Sequence, residues 1–210
     1  METMVKDVMT TQVVAVTRDA TFKEMAATLR RYRISALPVI DGNEKVVGVV
    51  SEADLLVKEA LAHSARHDKE VQKAEGVTAG DLMTHPAVTV RPEDSVEHAA
   101  RLMYRLRIKR LPVVNAGGGL VGLVSRTDLL AVYDRPDEEI RGEITHQVIP
   151  HELLGDASQF TVTVQAGVVT LEGSSAALGH DIVRKVRHVP GVVAVRDRLS
   201  YPAQVAAPPF

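Results

Sequence analysis

The chain has no cysteine and no tryptophan, and its three phenylalanines and four tyrosines make aromatic residues only 3% of 210 positions. Without thiols there is no disulfide framework, no Cys-ligated zinc or iron-sulfur site, no thiol nucleophile and no thiol redox sensor. Charge of one sign is not in excess either. Against 25 Lys+Arg stand 27 Asp+Glu, a net charge of -2, whereas a general nucleic-acid coat protein is strongly basic. No uncharged apolar run reaches the roughly 18 residues of a membrane helix. Charges at Glu2, Lys6 and Asp7 interrupt the first residues before a secretory apolar core can form, so no leader is readable and a cytoplasmic location is expected. What is there, 45% hydrophobic and 25% charged, is the make-up of a soluble globular protein of one or two domains.

The chain repeats itself. Shifted by 74 positions without a gap, DVMTTQVVAV from Asp7 lies on DLMTHPAVTV from Asp81, RISALPVI on RIKRLPVV, and VVGVVSEADLL on LVGLVSRTDLL. About 19 of the 50 pairs from Asp7/Asp81 to Leu56/Leu130 are identical, where chance gives about three. Each copy reads as strand, helix, two strands and a closing helix. Val13 to Thr17 is a β-branched run, and Phe22, Met25, Ala26 and Leu29 recur at helical spacing before a cationic end. Leu37 to Ile40 and Val46 to Val50 are strands joined across Asp41-Gly42, read as a hairpin turn, with Gly117-Gly118-Gly119 in the second copy. Ser51 and Ser125 stand as N-caps of the closing helices. A unit of about 50 residues buries too little surface to be comfortable alone, so two copies packed sheet to sheet are expected. Between them, polar and Ala-rich residues read as a helical extension and linker (63–77). His63 and His67 lie four apart there, but no further ligand completes a metal site, and a solvated helix face is the expectation.

The D-[VL]-M-T opening, the L-P-V-[IV] strand and the G-[VL]-V-S-x-x-D-L-L close resemble a tandem pair of CBS domains, sometimes called a Bateman module, over about residues 4–135. The resemblance implies two β-α-β-β-α motifs, 4–62 and 78–135, in an α/β (α+β) fold that commonly forms flat homodimers. It also implies binding of adenosine compounds, among them AMP, ADP, ATP and S-adenosylmethionine, in clefts between the paired motifs. In G-V-V-S-E-A-D and G-L-V-S-R-T-D a strand runs into a helix N-terminus, a natural place for an anion. By the resemblance Asp54 and Asp128 hold ribose, Ser51 and Ser125 face phosphate or sugar, and the strands around Val14, Val88, Pro38 and Pro112 sandwich adenine. The plainer reading of S-x-x-D is a capping motif that needs no ligand. The copies differ in charge: Arg126 replaces Glu52, and Lys109-Arg110 replace Ser35-Ala36. On that ground Asp128, Ser125, Arg126 and Arg110 are expected to form the better phosphate site, although either motif can reach a ligand lying between the copies.

From Pro136 onward the pattern changes. DEEIRGEITHQVI opens with acids and places Ile140, Ile144 and Val148 four apart; FTVTVQ and VVTLEG alternate around an Ala166-Gly167 turn; Ile182, Val183 and Val186 mark a helix before the strand VVAVRDRLSY. This α-β-β-α-β order, with Gly167, Gly173 and Gly191 and their flanking valines, resembles the BON domain over residues 136–201, a family of bacterial periplasmic, osmotic-shock and secretin-associated proteins. The resemblance implies contact with a phospholipid surface or a partner protein and no catalysis. With 6 basic and 9 acidic residues after Arg135, protein or intramolecular contact is favoured over an anionic membrane, although Arg184, Lys185 and Arg187 make a local basic face. A Pro/Ala-rich tail, 202–210, is expected to be disordered.

Together these point to a non-enzymatic sensor with an adenosine ligand and no required cofactor or metal. The alternative is a ligand-free dimeric adaptor working through the BON-like domain. No H-E-x-x-H, G-x-S-x-G or G-x-x-x-x-G-K-[ST] is present, so no catalytic residue is assigned. The basic run Arg105 to Arg110 fits the phosphate of a small nucleotide better than a nucleic acid.

Overall fold

A computed structural model describes residues 3–61, 76–152, 160–174 and 179–201. His63, His67 and the 202–210 tail lie outside the described residues. The chain divides into two units, one spanning Met4–Leu129 and the other beginning at Leu130.

In the first unit each repeat opens with a one-turn helix, α1 (Val5–Val8) and α4 (Ala79–Leu82). The acid of the D-[VL]-M-T motif closes that turn. Asp7 accepts the Met4 N–H at 2.9 Å, and Asp81 accepts the Thr78 N–H at 2.9 Å and the Thr78 hydroxyl at 2.7 Å. The Thr78 hydroxyl, followed by the Thr78 and Val77 amides, holds the Asp81 carboxyl below its ordinary value. A lowered carboxyl contributes stability above its unfolded pKa and loses it as pH falls through the folded one.

The first repeat continues with β1 (Val16–Thr17), α2 (Phe22–Tyr32), β2 (Ala36–Ile40), β3 (Val46–Ser51) and α3 (Glu52–Leu61). The second has α5 (Val96–Leu106), β4 (Arg110–Val114), β5 (Leu120–Ser125) and α6 (Arg126–Leu130). In place of the predicted run from Val13, β1 is two residues long and pairs parallel with β2; its counterpart is a single bridge, Val90 to Val113. Helices α2 and α5 start on the side chains of Thr21 and Ser95, and end on Arg33 and Arg107, both left-handed at φ 53° and 55°. The matched arginines are therefore C-cap residues.

The β2–β3 connection differs from the predicted two-residue turn. Ile40 pairs with Val46, and the Asp41 carboxylate accepts the N–H groups of Asn43 and Lys45 at 2.9 and 3.0 Å. The left-handed residue is Glu44, φ 60°, not Gly42. Its counterpart is Gly118, φ 85°, so the second repeat carries glycine where the backbone asks for it.

The repeats exchange their opening segments. Val5 lies at 0% exposure in the second repeat's core with Val90, Met103 and Leu111, while Ala79 and Leu82 lie in the first repeat's core with Met25, Leu29 and Leu37. After each helix the chain pairs with the other repeat: Thr10 and Leu123 trade both main-chain hydrogen bonds at 2.9 Å, and Thr84 and Val49 do so at 2.9 and 3.1 Å. Pro38 and Pro112 pair opposite Val49 and Leu123, whose N–H groups thus point away from them, so a proline lacking a donor fits there. The motif methionines close the exchange. A Cβ on Gly48 would lie 2.4 Å from Met83 Sδ, and one on Gly122 would lie 2.6 Å from Met9 Sδ.

The second unit has the order α-β-β-α-β: a helical run from Asp137 to Glu152, β6 (Phe160–Gln165), β7 (Val168–Ser174), α9 (Gly179–Val186) and β8 (Ala194–Ser200). The run comprises α7 (Asp137–Glu143), a π-turn (Ile144–Val148) and α8 (Ile149–Glu152). Strand β7 is central, antiparallel to β6 and parallel to β8. Ala166 and Gly167, φ 50° and 72°, form the predicted two-residue hairpin. The π-turn alters the predicted stripe, because one extra residue per turn moves the third buried position from Val148 to Ile149, which is 1% exposed.

Gly122→Val forces Met9 off its seat and brings a branched Cβ toward the Thr10 carbonyl, 3.2 Å from an added Cβ. Overpacking of this kind costs about 1–3 kcal/mol. Thermal unfolding of the full chain is expected to show a lower midpoint for Gly122→Val and a higher one for Glu44→Gly, which relieves a left-handed glutamate.

Candidate ligand-binding site

The exchange creates a composite cleft of about 310 Å³ within the first unit. That volume is at the small end of ligand pockets, roughly 300–1,000 Å³. The first repeat contributes Ser35, Ala36 and Val49, and then Ser51 to Asp54 at the junction of β3 and α3. The second contributes Thr84, Ala87 and Val88 from the exchanged segment, and Arg107 to Arg110 from the end of α5 and the start of β4.

Both S-x-x-D motifs are capping arrangements. Ser51 donates its N–H and hydroxyl to Asp54 Oδ2 at 2.9 and 2.7 Å; Ser125 does the same to Asp128 Oδ2 at 2.7 and 2.7 Å, and the Asp128 N–H returns to the Ser125 hydroxyl at 3.3 Å. An ionised carboxylate keeps further lone pairs for a ligand hydroxyl, so a capping aspartate is not thereby spent.

Of the residues singled out in the sequence, the cleft unites Ser51, Asp54, Val88 and Arg110. Ser125, Arg126 and Asp128 are not among its walls, and Arg110, which pairs with Ser125 in the β4–β5 register, lines this cleft together with the first repeat's aspartate. Arg110 reaches across the repeats to hydrogen-bond the Ser35 hydroxyl. The Arg126 guanidinium is turned to main chain: Nε donates to Ile108 O at 3.0 Å and a terminal nitrogen to Met103 O at 3.5 Å. Those carbonyls lie at the end of α5, where a cation suits the dipole. Val88 is 37% exposed in the cleft, whereas Val14 packs against the first repeat's core. Pro38 and Pro112 are buried within their strands and do not line the cleft. Sequence reasoning missed Thr84, although the shared M-T pair marked it, and Glu52, seen only as a charge difference between copies.

Among the described residues no cluster of three potential metal ligands exists, and no helix is long and apolar enough to cross a membrane.

Comparison with known proteins adds to this geometry. The CBS domain profile matches residues 5–60 and 79–135, more than half of the chain. The chain belongs to the CBS domain family. The CBS domain-containing chloroplast protein CBSX2 of Arabidopsis thaliana is 34% identical over 47% of this chain and 49% of its own length. The chain thus spans about half the length of that relative. An inosine-5'-monophosphate dehydrogenase of Methanocaldococcus jannaschii is 33% identical over 61% of this chain, but only 22% of the dehydrogenase is covered. Among solved structures, CBSX2 in complex with AMP matches with a TM-score of 0.57 at 32% identity, covering 61% of this chain and 95% of that one. The CBS domain pair of the protein MJ0100, in complex with 5'-methylthioadenosine and S-adenosyl-L-methionine, matches with a TM-score of 0.54 at 25% identity, covering 64% and 98%. These likenesses cover the CBS pair, and its mixed α/β architecture agrees with the repeat reading.

The Ser51 to Asp54 junction offers a direct check on which aspartate faces a ligand. With an adenosine ligand held by its ribose, Asp54→Ala is expected to weaken binding about 10- to 100-fold, the worth of one charge-assisted hydrogen bond. Calorimetry on Asp54→Ala and Asp128→Ala reads this aspartate by aspartate, and unchanged affinity in Asp54→Ala removes its carboxylate from the site.

Proposed function

We propose that this CBS pair is a non-enzymatic sensor that binds an adenosine compound such as AMP, ADP, ATP or S-adenosylmethionine. Occupancy is passed to the C-terminal domain or to a partner. The observation that carries the reading is the composite cleft, where a carboxylate-bearing β-to-α junction faces three cations across a 310 Å³ space. Relatives crystallised with AMP, 5'-methylthioadenosine and S-adenosylmethionine support the ligand class. The ligand contributes its ribose to Asp54, and Asp128 is assigned the matching role in the repeat-related position. The module comprises 4–62 and 78–135, forms a homodimer and works in the cytoplasm. The α-β-β-α-β domain, 136–201, is a BON-like contact domain for protein, and secondarily for a phospholipid surface.

A second reading has its own support. Each serine-aspartate pair is satisfied internally, so the cleft stands without a ligand and leaves no buried side-chain polar atom unpartnered among the described residues. A ligand-free adaptor is consistent with that.

A thermal-shift screen of the full chain with AMP, ADP, ATP, S-adenosylmethionine and NAD separates the two. Ligand at about 100 times its dissociation constant adds about 2.7 kcal/mol, enough to raise the midpoint by several degrees. A flat response to every adenosine compound favours the adaptor.

A further inference from the structure

A second hollow in the first unit shares a wall with the ligand cleft. The segment after α4 gives Thr84, Ala87 and Val88 to the cleft, and His85, Pro86, Ala87 and Thr89 to a separate groove of about 390 Å³. Val46 and Val47 at the start of β3 and Val114 at the end of β4 add apolar lining. That volume lies within the range of small-molecule pockets, near its lower end.

Two polar side chains on this lining have nothing to hold. Arg18, which follows β1, and His85 both line the groove and are exposed, and among the described residues neither side chain makes a hydrogen bond or an ion pair. No carboxylate lines the groove. The acids nearest Arg18 are otherwise engaged. Asp19 accepts from the Thr17 hydroxyl. Asp41 is held below its ordinary value first by the N–H groups of Lys45 and Asn43, and only then by the charges of Lys45 and Arg18. A guanidinium presents parallel N–H donors that match both oxygens of a carboxylate, and an imidazole N–H can add a further donor. The valines and Pro86 suit an apolar body attached to that carboxylate.

The repeat shows that this chemistry belongs to one place only. Shifted by 74 positions, Arg18 becomes Pro92, His85 becomes Thr11 and Gly118, also on the lining, becomes Glu44. None of these three counterparts lines the groove itself, and the shifted lining carries an acid and no cation.

We infer that this groove is a second ligand site, which takes a small carboxylate with an apolar body, Arg18 pairing with the carboxylate and His85 adding a hydrogen bond. The site stands apart from the adenosine reading, because no residue of the Ser51 to Asp54 junction lines it.

Calorimetry on the full chain with benzoate, its neutral counterpart benzamide, acetate and inorganic phosphate tests the assignment. Benzoate is expected to occupy one site per chain with a dissociation constant of about 1 mM or tighter. Benzamide lacks the charge and acetate the apolar body, and each is expected to bind at least about 10-fold more weakly. Arg18→Gln alters an exposed side chain, so it should keep the thermal midpoint while weakening benzoate about 10- to 100-fold; His85→Gln should cost less. In Asp54→Ala benzoate affinity should stay within about twofold of the wild type. Benzoate that does not bind, that binds Arg18→Gln as well as the wild type, or that binds no better than benzamide or phosphate overturns the inference. A benzoate affinity that falls in Asp54→Ala as far as in Arg18→Gln does so too, because the carboxylate then sits in the ligand cleft. All of these outcomes leave the adenosine reading standing.

Discussion

The first unit depends on a trade: each repeat gives its opening helix to the other's core. Val5 is fully buried among second-repeat residues, and Ala79 and Leu82 among first-repeat residues. Burying a side chain the size of Val5 or Leu82 contributes on the order of 1.5–3 kcal/mol. The segments that follow then complete the partner's sheet, giving Val49 and Leu123 main-chain partners that their own hairpins, with a proline opposite, do not supply. A single repeat therefore lacks a piece of its core and the outer partner of a strand at once. The exchange also makes the cleft. Thr84, Ala87 and Val88 face Ser51 and Asp54 because the chain, on leaving α4, crosses to the first repeat's sheet.

A composite site changes how divergence between copies is read. In a self-contained repeat, Lys109, Arg110 and Asp128 would serve one ligand. With exchanged segments, Arg107 to Arg110 of one copy line a cleft with the aspartate of the other. Arg126 shows the limit of counting charges, since its guanidinium braces the end of α5.

Much of the fold was legible because repetition multiplies weak signals. The strands around Pro38 and Pro112 and the S-x-x-D junctions each occur at matched positions and adopt matched structures. The α-β-β-α-β order of the second unit was equally plain from its periods. What stayed hidden depends on distant contacts. The helices α1 and α4 are too short for periodicity to announce them, and no local pattern says which core they join. The left-handed Glu44 escaped notice because Asp41-Gly42 is the stronger turn signal, yet the Asp41 carboxylate binds Asn43 and Lys45 and moves the left-handed position two residues on.

The acid-rich start of the second unit shows how a correct local reading can conceal a tertiary role. Asp137, Glu138 and Glu139 suit the N-terminus of a helix, and that alone accounts for their presence. Asp137 does more: its two carboxylate oxygens accept the N–H groups of Ala166 and Gly167 at 2.7 and 2.8 Å, fixing the hairpin to the helix start. Arg135 donates to Glu143 and to the Pro190 carbonyl, both at 2.9 Å, and so ties the residues before the helix to the turn that precedes β8. The helix start, the hairpin and that turn thus form one braced end, in which an added Cβ on Gly191 would lie 2.7 Å from Ile140 Cδ1. Arg135 thereby anchors the entry of the chain within this unit.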